Sequence, residues 1–282
     1  MIKCGRALVT QSLLPLTAPS RMNEYYGVRG RVHTLEQRKS WKIGLEHLPN
    51  HDSFDVKFSP PGQTLRITNY DMAATAIGSE HFDYDCLGKL IRCVEFDASG
   101  LKTSSSDFIY GSQESRVVIK RKPSGEVISR IVEAYEGNLL LSLTTYDEKG
   151  RLKREKTFQY AGDKLTKSDS RYYLPDNTLC EQYISGYDSE GRVARTYGLK
   201  ADGTPLGDGK YIYEYDDEGR KCKVWSFTEF ADDDKANAVT TYEYETDEFG
   251  NWVERREFHQ SRGYSDWSKG ITTRKLTYYP LG

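Results

Sequence analysis

The sequence predicts an all-β protein: an antiparallel meander of β-hairpins, forming a wide sheet that curls or closes into a barrel. Three observations predict it. A turn phrase returns about every 12 residues, residues alternate with a period of two between the turns, and the composition is poor in apolar residues but rich in tyrosine. Of 282 residues, 37% are hydrophobic, whereas 29% are charged and 21 are tyrosine. That balance suits strands that bury one face only.

The turn phrase is aromatic-Asp-x-x-Gly-x-apolar, clearest from Tyr84-Asp85 to Leu90, Tyr146-Asp147 to Leu152 and Tyr187-Asp188 to Val193. Aspartate accepts a backbone hydrogen bond at the turn entrance. Glycine takes the positive φ that a short hairpin with a G1 bulge requires. Gly88, Gly150, Gly191, Gly219 and Gly250 are read as structural turn residues, with further turn glycines at Gly62, Gly100, Gly125, Gly137, Gly162 and Gly203. Asp176-Asn177 can make the turn missing between Gly162 and Gly191.

Each unit then divides into a turn of about four residues and a strand of about eight. Alternation supports the strands: Tyr211, Tyr213 and Tyr215 share one face against Ile212 and Glu214, and Tyr242 and Tyr244 oppose Glu243 and Glu245. A dozen or more such strands cannot stay flat, because each pair adds about 20° of twist. Tyrosine and leucine are expected on the inner face, with Lys, Arg and Glu ladders outside.

The charge balance, 40 Lys and Arg against 42 Asp and Glu, lacks the basic stripe of a nucleic-acid binder. Five cysteines, odd in number and never spaced C-x-x-C, argue against a disulfide framework. No apolar run is long enough for a membrane-spanning helix. Residues 1–22 read as a disordered leader before a single domain over residues 23–282, a cleaved signal peptide being the competing reading. The expected place is the cytoplasm, or the periplasm or envelope if the leader is cleaved.

Catalytic chemistry finds no foothold. His47 and His51 lie four apart, but Pro49 and Asn50 break the helix that would put both rings on one face. Asp232-Asp233-Asp234 lacks the alternation and glycine of a calcium loop. No nucleophile elbow or phosphate-binding loop occurs. The reading is a non-enzyme without cofactor or metal.

The phrases "YDEKGRL", "YDSEGRV", "YDDEGRK" and "DEFGNW" resemble the tyrosine-aspartate (YD) repeats of Rhs-type proteins, over roughly residues 54 to 279. "YGVRGRVHTLEQ" is similar to the first strand of small bacterial proteins built only from such repeats. Large Rhs proteins use the repeats as a shell around a toxin domain. This chain lacks the long array and the Asp-Pro-rich cleavage segment. The resemblance therefore implies a stand-alone repeat protein of bacterial antagonism loci, such as those of type VI secretion. An immunity or accessory protein that binds and neutralises a toxin is the expected function.

The expected partner is a protein, and the expected contact surface is the loop holding Arg262, Tyr264, Asp266 and Trp267, residue types that anchor interfaces. A carbohydrate- or envelope-binding protein that stacks sugars on exposed aromatic rings is the alternative.

Overall fold

The computed structural model describes residues 32–43, 46–49, 53–58, 64–70, 75–111, 114–227, 236–262 and 268–278. These residues form nineteen strands and no helix. The first nine are β1 (Val32–Ile43), β2 (Glu46–Pro49), β3 (Ser53–Phe58), β4 (Thr64–Tyr70), β5 (Ala76–Tyr84), β6 (Leu90–Asp97), β7 (Lys102–Tyr110), β8 (Ser115–Arg121) and β9 (Val127–Glu136). There follow β10 (Leu139–Asp147), β11 (Leu152–Ala161), β12 (Lys164–Tyr173), β13 (Leu179–Tyr187), β14 (Val193–Lys200) and β15 (Pro205–Tyr215). The last are β16 (Lys221–Phe227), β17 (Ala238–Thr246), β18 (Trp252–Ser261) and β19 (Ser268–Tyr278).

From β3 onward every strand pairs antiparallel with its successor, and β1 closes the ring. One edge of β1 pairs with β19, from Val32 opposite Tyr278 to Lys42 opposite Lys269. Its other edge pairs with β3 through Thr34–Gln37 and with β2 through Ser40–Ile43. Because β2 and β3 share one edge, the ring counts 18 strands. The meander is thus a closed barrel rather than an open curled sheet, and closure removes the free edges an open sheet would expose. The first described strand starts at Val32; residues 1–31, with the expected leader, lie outside the described residues, as do Gly62, His51 and Asp232–Asp234.

The hairpins repeat one hydrogen-bond pattern. At Asp85, Asp97, Asp147, Asp188, Asp216 and Asp247 the aspartate N–H donates to the carbonyl four residues on, and the glycine N–H donates back to the aspartate carbonyl. The aspartate side chain adds two bonds: Asp85 Oδ1 accepts from the N–H groups of Leu87 at 2.9 Å and Lys89 at 2.8 Å. The five expected turn glycines have φ of 75–79°, left-handed values that cost an L side chain about 1–2 kcal/mol. Asn177, at φ 65°, fills the same place in the turn whose aspartate position is taken by Leu174.

Just past each of these turns the register slips. Tyr84 opposes Leu90, but Asp83 opposes Arg92, so Ile91 is an extra residue on β6. The same slip follows Leu152, Val193, Lys221 and Trp252. Such bulges bend a strand and raise its twist, and repeated around the sheet they help it close.

A bulge also leaves a carbonyl without a ladder partner, and here tyrosine hydroxyls take that place. Tyr110 donates to the carbonyl of Leu90 at 2.9 Å, Tyr160 to Leu140 at 3.0 Å, Tyr215 to Val193 at 2.9 Å and Tyr244 to Lys221 at 2.8 Å. In each case the tyrosine lies at or near the end of the strand beside the bulged one. The rings of Tyr215 and Tyr244 are covered by Arg192 and Arg220 at 4.7 and 5.0 Å, and each arginine is held by the aspartate of its own turn. The Asp–Gly–Arg turn and the later tyrosine therefore form one unit of structure.

The two faces of the wall differ. On β11 the more buried set is Leu152, Arg154, Lys156, Phe158 and Tyr160, while Lys153, Thr157 and Gln159 are exposed. Both buried clusters draw only on neighbouring strands: Leu35 and Val56 with Phe54, Ile67 and Leu276, and Leu90, Cys93, Phe108 and Val118 with Phe82, Tyr84 and Ile131. The core is thus a lining one side chain deep. Rounded, 18 strands would enclose a backbone diameter of about 35 Å, too wide for side chains to fill.

That width explains one departure from the sequence reading. Tyrosine and leucine do face inward, but so do Glu80, Glu95, Arg116, Lys120, Glu133, Arg154, Lys156, Lys221, Arg255, Glu257 and Arg274, by their cross-strand register with the buried set. A lumen wide enough to admit water tolerates charges that a filled core would exclude.

Candidate functional site

The inner wall over β16–β19 carries the densest grouping of cations and aromatic rings among the described residues. Cross-strand register puts Tyr242 opposite Glu257, Tyr244 opposite Arg255, and Arg255 opposite Thr272, all on the inner face. Arg274, two residues past Thr272, shares that face and donates from Nε to Gln37 Oε1 at 3.1 Å. Its guanidinium carbon lies 3.4 Å from the Trp252 ring centre, and that of Arg255 lies 5.4 Å from it and 5.6 Å from Tyr242. Lys221 sits 4.9 Å above Tyr213.

Lys221 and Arg255 face the carboxylate of Glu257, which Arg255 binds at 2.5 Å, and Arg274 adds a third cation beside Arg255. The excess shows in the energetics. Burial, helped by the neighbouring Arg255 charge, pulls the Arg274 guanidinium down to about 9, and the same two causes lower Lys221. Arg274 Nη1, Arg255 Nε and Thr272 Oγ1 are buried without a hydrogen-bond partner, and Thr272 is fully buried. Unpaired buried donors of this kind each cost about 1–3 kcal/mol.

A second cationic stretch lies on β11. Arg154 covers Tyr172 at 5.0 Å, and Lys156, lowered to about 8 by burial and by Arg154, lies 4.9 Å from Phe158. The acidic stretch of the inner wall is better matched: Glu95 binds Lys120, and Glu133 binds Arg116 through two bonds of 2.6 and 2.9 Å. Arg116 and Glu133 are 3% and 2% exposed, so theirs is a structural pair.

Of the contact surface expected from the sequence, Tyr264, Asp266 and Trp267 lie outside the described residues. Arg262 is exposed at one end of the barrel, its N–H donating to Asn237 at 2.6 Å, beside a shallow cleft of about 260 Å³ lined by Ala236–Val239 and Gln260–Arg262. The structure does not join it to the lumenal cations. Gly88, Gly150, Gly191, Gly219 and Gly250 sit at hairpin tips, away from the inner wall.

Sequence reading missed the lumenal group because Lys221, Arg255 and Arg274 look like the other charges of alternating strands. Alternation offered no signal for it: Trp252 and Arg255 are three residues apart and share a face only because of the bulge past Trp252. No group of three or more potential metal ligands occurs among the described residues.

No family model and no curated protein matches the chain. Among solved structures it is similar to a porin-like protein from Bacteroides uniformis ATCC 8492, with TM-score 0.47, 11% identity, and coverage of 87% of this chain and 98% of that one. A porin-like protein from Bacteroides vulgatus ATCC 8482 aligns with TM-score 0.36 and 13% identity over 90% of this chain and 100% of that one. A structure described as TcdB2-TccC3-TEV aligns with TM-score 0.25 and 13% identity over 86% of this chain and 16% of that one. All three TM-scores lie below 0.5.

Proposed function

We propose that the protein is a non-enzymatic host: a water-filled barrel of YD-type hairpins that binds a protein partner, with a segment of that partner held in the lumen. An accessory or immunity role toward a toxin remains the specific form of this reading. The observation that carries it is the lining. The inner wall presents cations, hydroxyls and carboxylates to a space that, at the width of 18 strands, the described side chains are too short to fill, which suits an aqueous guest.

The same lining weighs against the carbohydrate alternative. Sugars stack on free aromatic faces, yet Trp252 is covered by Arg274, Tyr213 by Lys221 and Tyr172 by Arg154.

Among the described residues no helix is long and apolar enough to cross a membrane, and strands are the only remaining route. The outward face argues against that route: Glu155 on β11, Asp169 and Arg171 on β12, Glu243 and Glu245 on β17, and Glu254 and Arg256 on β18 all point away from the lumen. Each Lys or Arg at mid-bilayer depth costs about 2–4 kcal/mol, and a lipid-facing barrel needs an apolar band about 25 Å tall. For location we propose the envelope alternative. The charged outer face favours its aqueous space over its lipid.

A photo-crosslinking residue at Tyr172, on the inner wall, compared with one at Gln159, on the outer wall, tests the reading. With the product of the adjacent gene as probe, crosslinking is expected at position 172 and not at 159. Crosslinking at 159 alone would sink the lumenal host, and glycan binding without any protein crosslink would favour the carbohydrate alternative.

A further inference from the structure

We propose that Arg255, Arg274 and Thr272, backed by Lys221, form a docking site on the inner wall for a carboxylate of an acidic polypeptide segment. This rests on the host reading above and names the chemistry the lumen recognises.

Geometry selects an anion. Arg274 and Arg255 lie against Trp252, and Tyr244 meets the same indole edge-on at a ring distance of 6.1 Å. Stacking uses up the aromatic faces, so the guanidinium N–H groups are what the wall has left to offer. Arg255 keeps a quarter of its side chain exposed. Arg274 Nη1, Arg255 Nε and Thr272 Oγ1 lack partners among side chains held in register on adjacent strands.

Charge supplies the driving force. Among the described residues, Glu257 is the carboxylate that Lys221 and Arg255 face, Arg274 adds a third cation beside Arg255, and a second carboxylate would bring the group to three cations against two anions. Planar forks of N–H donors match a carboxylate bidentately. Reaching the buried donors requires the Arg274 head group to turn out from the wall, which loses its stack and gains an ion pair. The empty site is therefore strained and the occupied one relieved, and this separates the proposal from a purely structural role for the arginines. A structural arginine, once removed, destabilises the fold. A binding arginine left without its anion does the opposite.

The test uses the full chain with oligoglutamate as probe at low salt, followed by calorimetry and by thermal unfolding. Oligoglutamate is expected to bind, with affinity falling about tenfold or more in Arg274→Met and in Arg255→Met. Arg256→Met, the neighbouring outward-facing residue, should bind as the parent does. Arg274→Met should also raise the thermal midpoint of the empty protein, and Arg274→Lys should recover part of the binding.

The proposal is overturned if Arg256→Met loses as much affinity as Arg274→Met, which would mean general surface attraction. It is equally overturned if Arg274→Met lowers both binding and stability, or if inorganic phosphate competes as well as glutamate does per charge. A lumenal crosslink to a protein guest combined with Arg274-independent oligoglutamate binding would remove this site and leave the host reading standing. Arg274-dependent binding without any lumenal guest would do the reverse.

Discussion

Removing the hydroxyl from the bulge-capping tyrosines should weaken the barrel by a predictable amount. Tyr110, Tyr160 and Tyr215 each donate to a carbonyl that the register slip has taken out of the ladder. Changing any of them to phenylalanine keeps the ring and its packing and leaves that carbonyl bare. A net hydrogen bond contributes about 1 kcal/mol, and an unsatisfied buried acceptor costs about 1–3 kcal/mol. These sites are partly buried, so water recovers some of the loss, and about 1–1.5 kcal/mol per substitution is expected. Tyr172→Phe is the control: its ring meets Arg154 and Tyr183, and no hydrogen bond to its hydroxyl is found. Urea titrations followed by circular dichroism should show the three substitutions shifting the midpoint and Tyr172→Phe leaving it in place. Tyr110 and Tyr215 stand at different hairpins, so the double change should be close to additive. If Tyr172→Phe costs as much as the other three, the tyrosines act through ring packing alone and the capping argument fails.

Gly150→Val should cost about 1–2 kcal/mol and Gly150→Asn less, because an added Cβ meets nothing within 4 Å and the whole penalty comes from the φ of 75°; equal urea midpoints for the two variants would contradict that. Lys156→Met should stabilise the protein at neutral pH by about 2–3 kcal/mol, since burial lowers the lysine from 10.5 to about 8. The sign follows from which state releases its proton first: below pH 8 both states are charged and the penalty is full, and between pH 8 and 10.5 the folded state sheds its proton while the unfolded one keeps it. Parent stability should therefore climb through that window, and the Met variant should stay flat; a variant that climbs equally shows that another group is titrating. Cysteines at Glu36 and Lys275, directly opposed on the outer face of β1 and β19, should oxidise readily with Cys86 replaced by serine. Linking residues so distant in sequence should stabilise by up to about 5 kcal/mol, and failure to crosslink in the native state would show an open sheet.

The hairpins were legible because their signals are local. An aspartate, a glycine three residues on and a two-residue alternation are all contained within one 12-residue unit, and each has a steric or hydrogen-bonding cause that the surroundings cannot easily override. Asn177 shows the same logic from the other side: it stands where glycine is expected, with φ 65°, because asparagine is among the few residues that tolerate that region. The spacing between a turn and the tyrosine that serves it was not legible. Leu90 and Tyr110 are 20 residues apart and Lys221 and Tyr244 are 23 apart, and their meeting depends on a bulge whose position only the paired strands define.

The lumen was hidden for a related reason. Alternation says that Arg255 and Arg256 point to opposite sides, yet it cannot say which side is inside, since both faces carry charge. In a narrow barrel the apolar face would have been the inner one. Here 18 closed strands make an interior too wide for the described side chains to fill, and the usual rule loses its force on the very residues that matter most. What distinguishes Arg255 and Arg274 from Arg256 is not their charge but their shortage of partners: Arg256 reaches both Glu245 and Glu254, while Arg255 and Arg274 share Glu257 and Gln37 and keep donors unpaired. On a surface bathed in water that difference would have little effect. Against Trp252, beneath the inner face of the wall, it is an unsatisfied charge, and an anion delivered into the lumen is what would satisfy it.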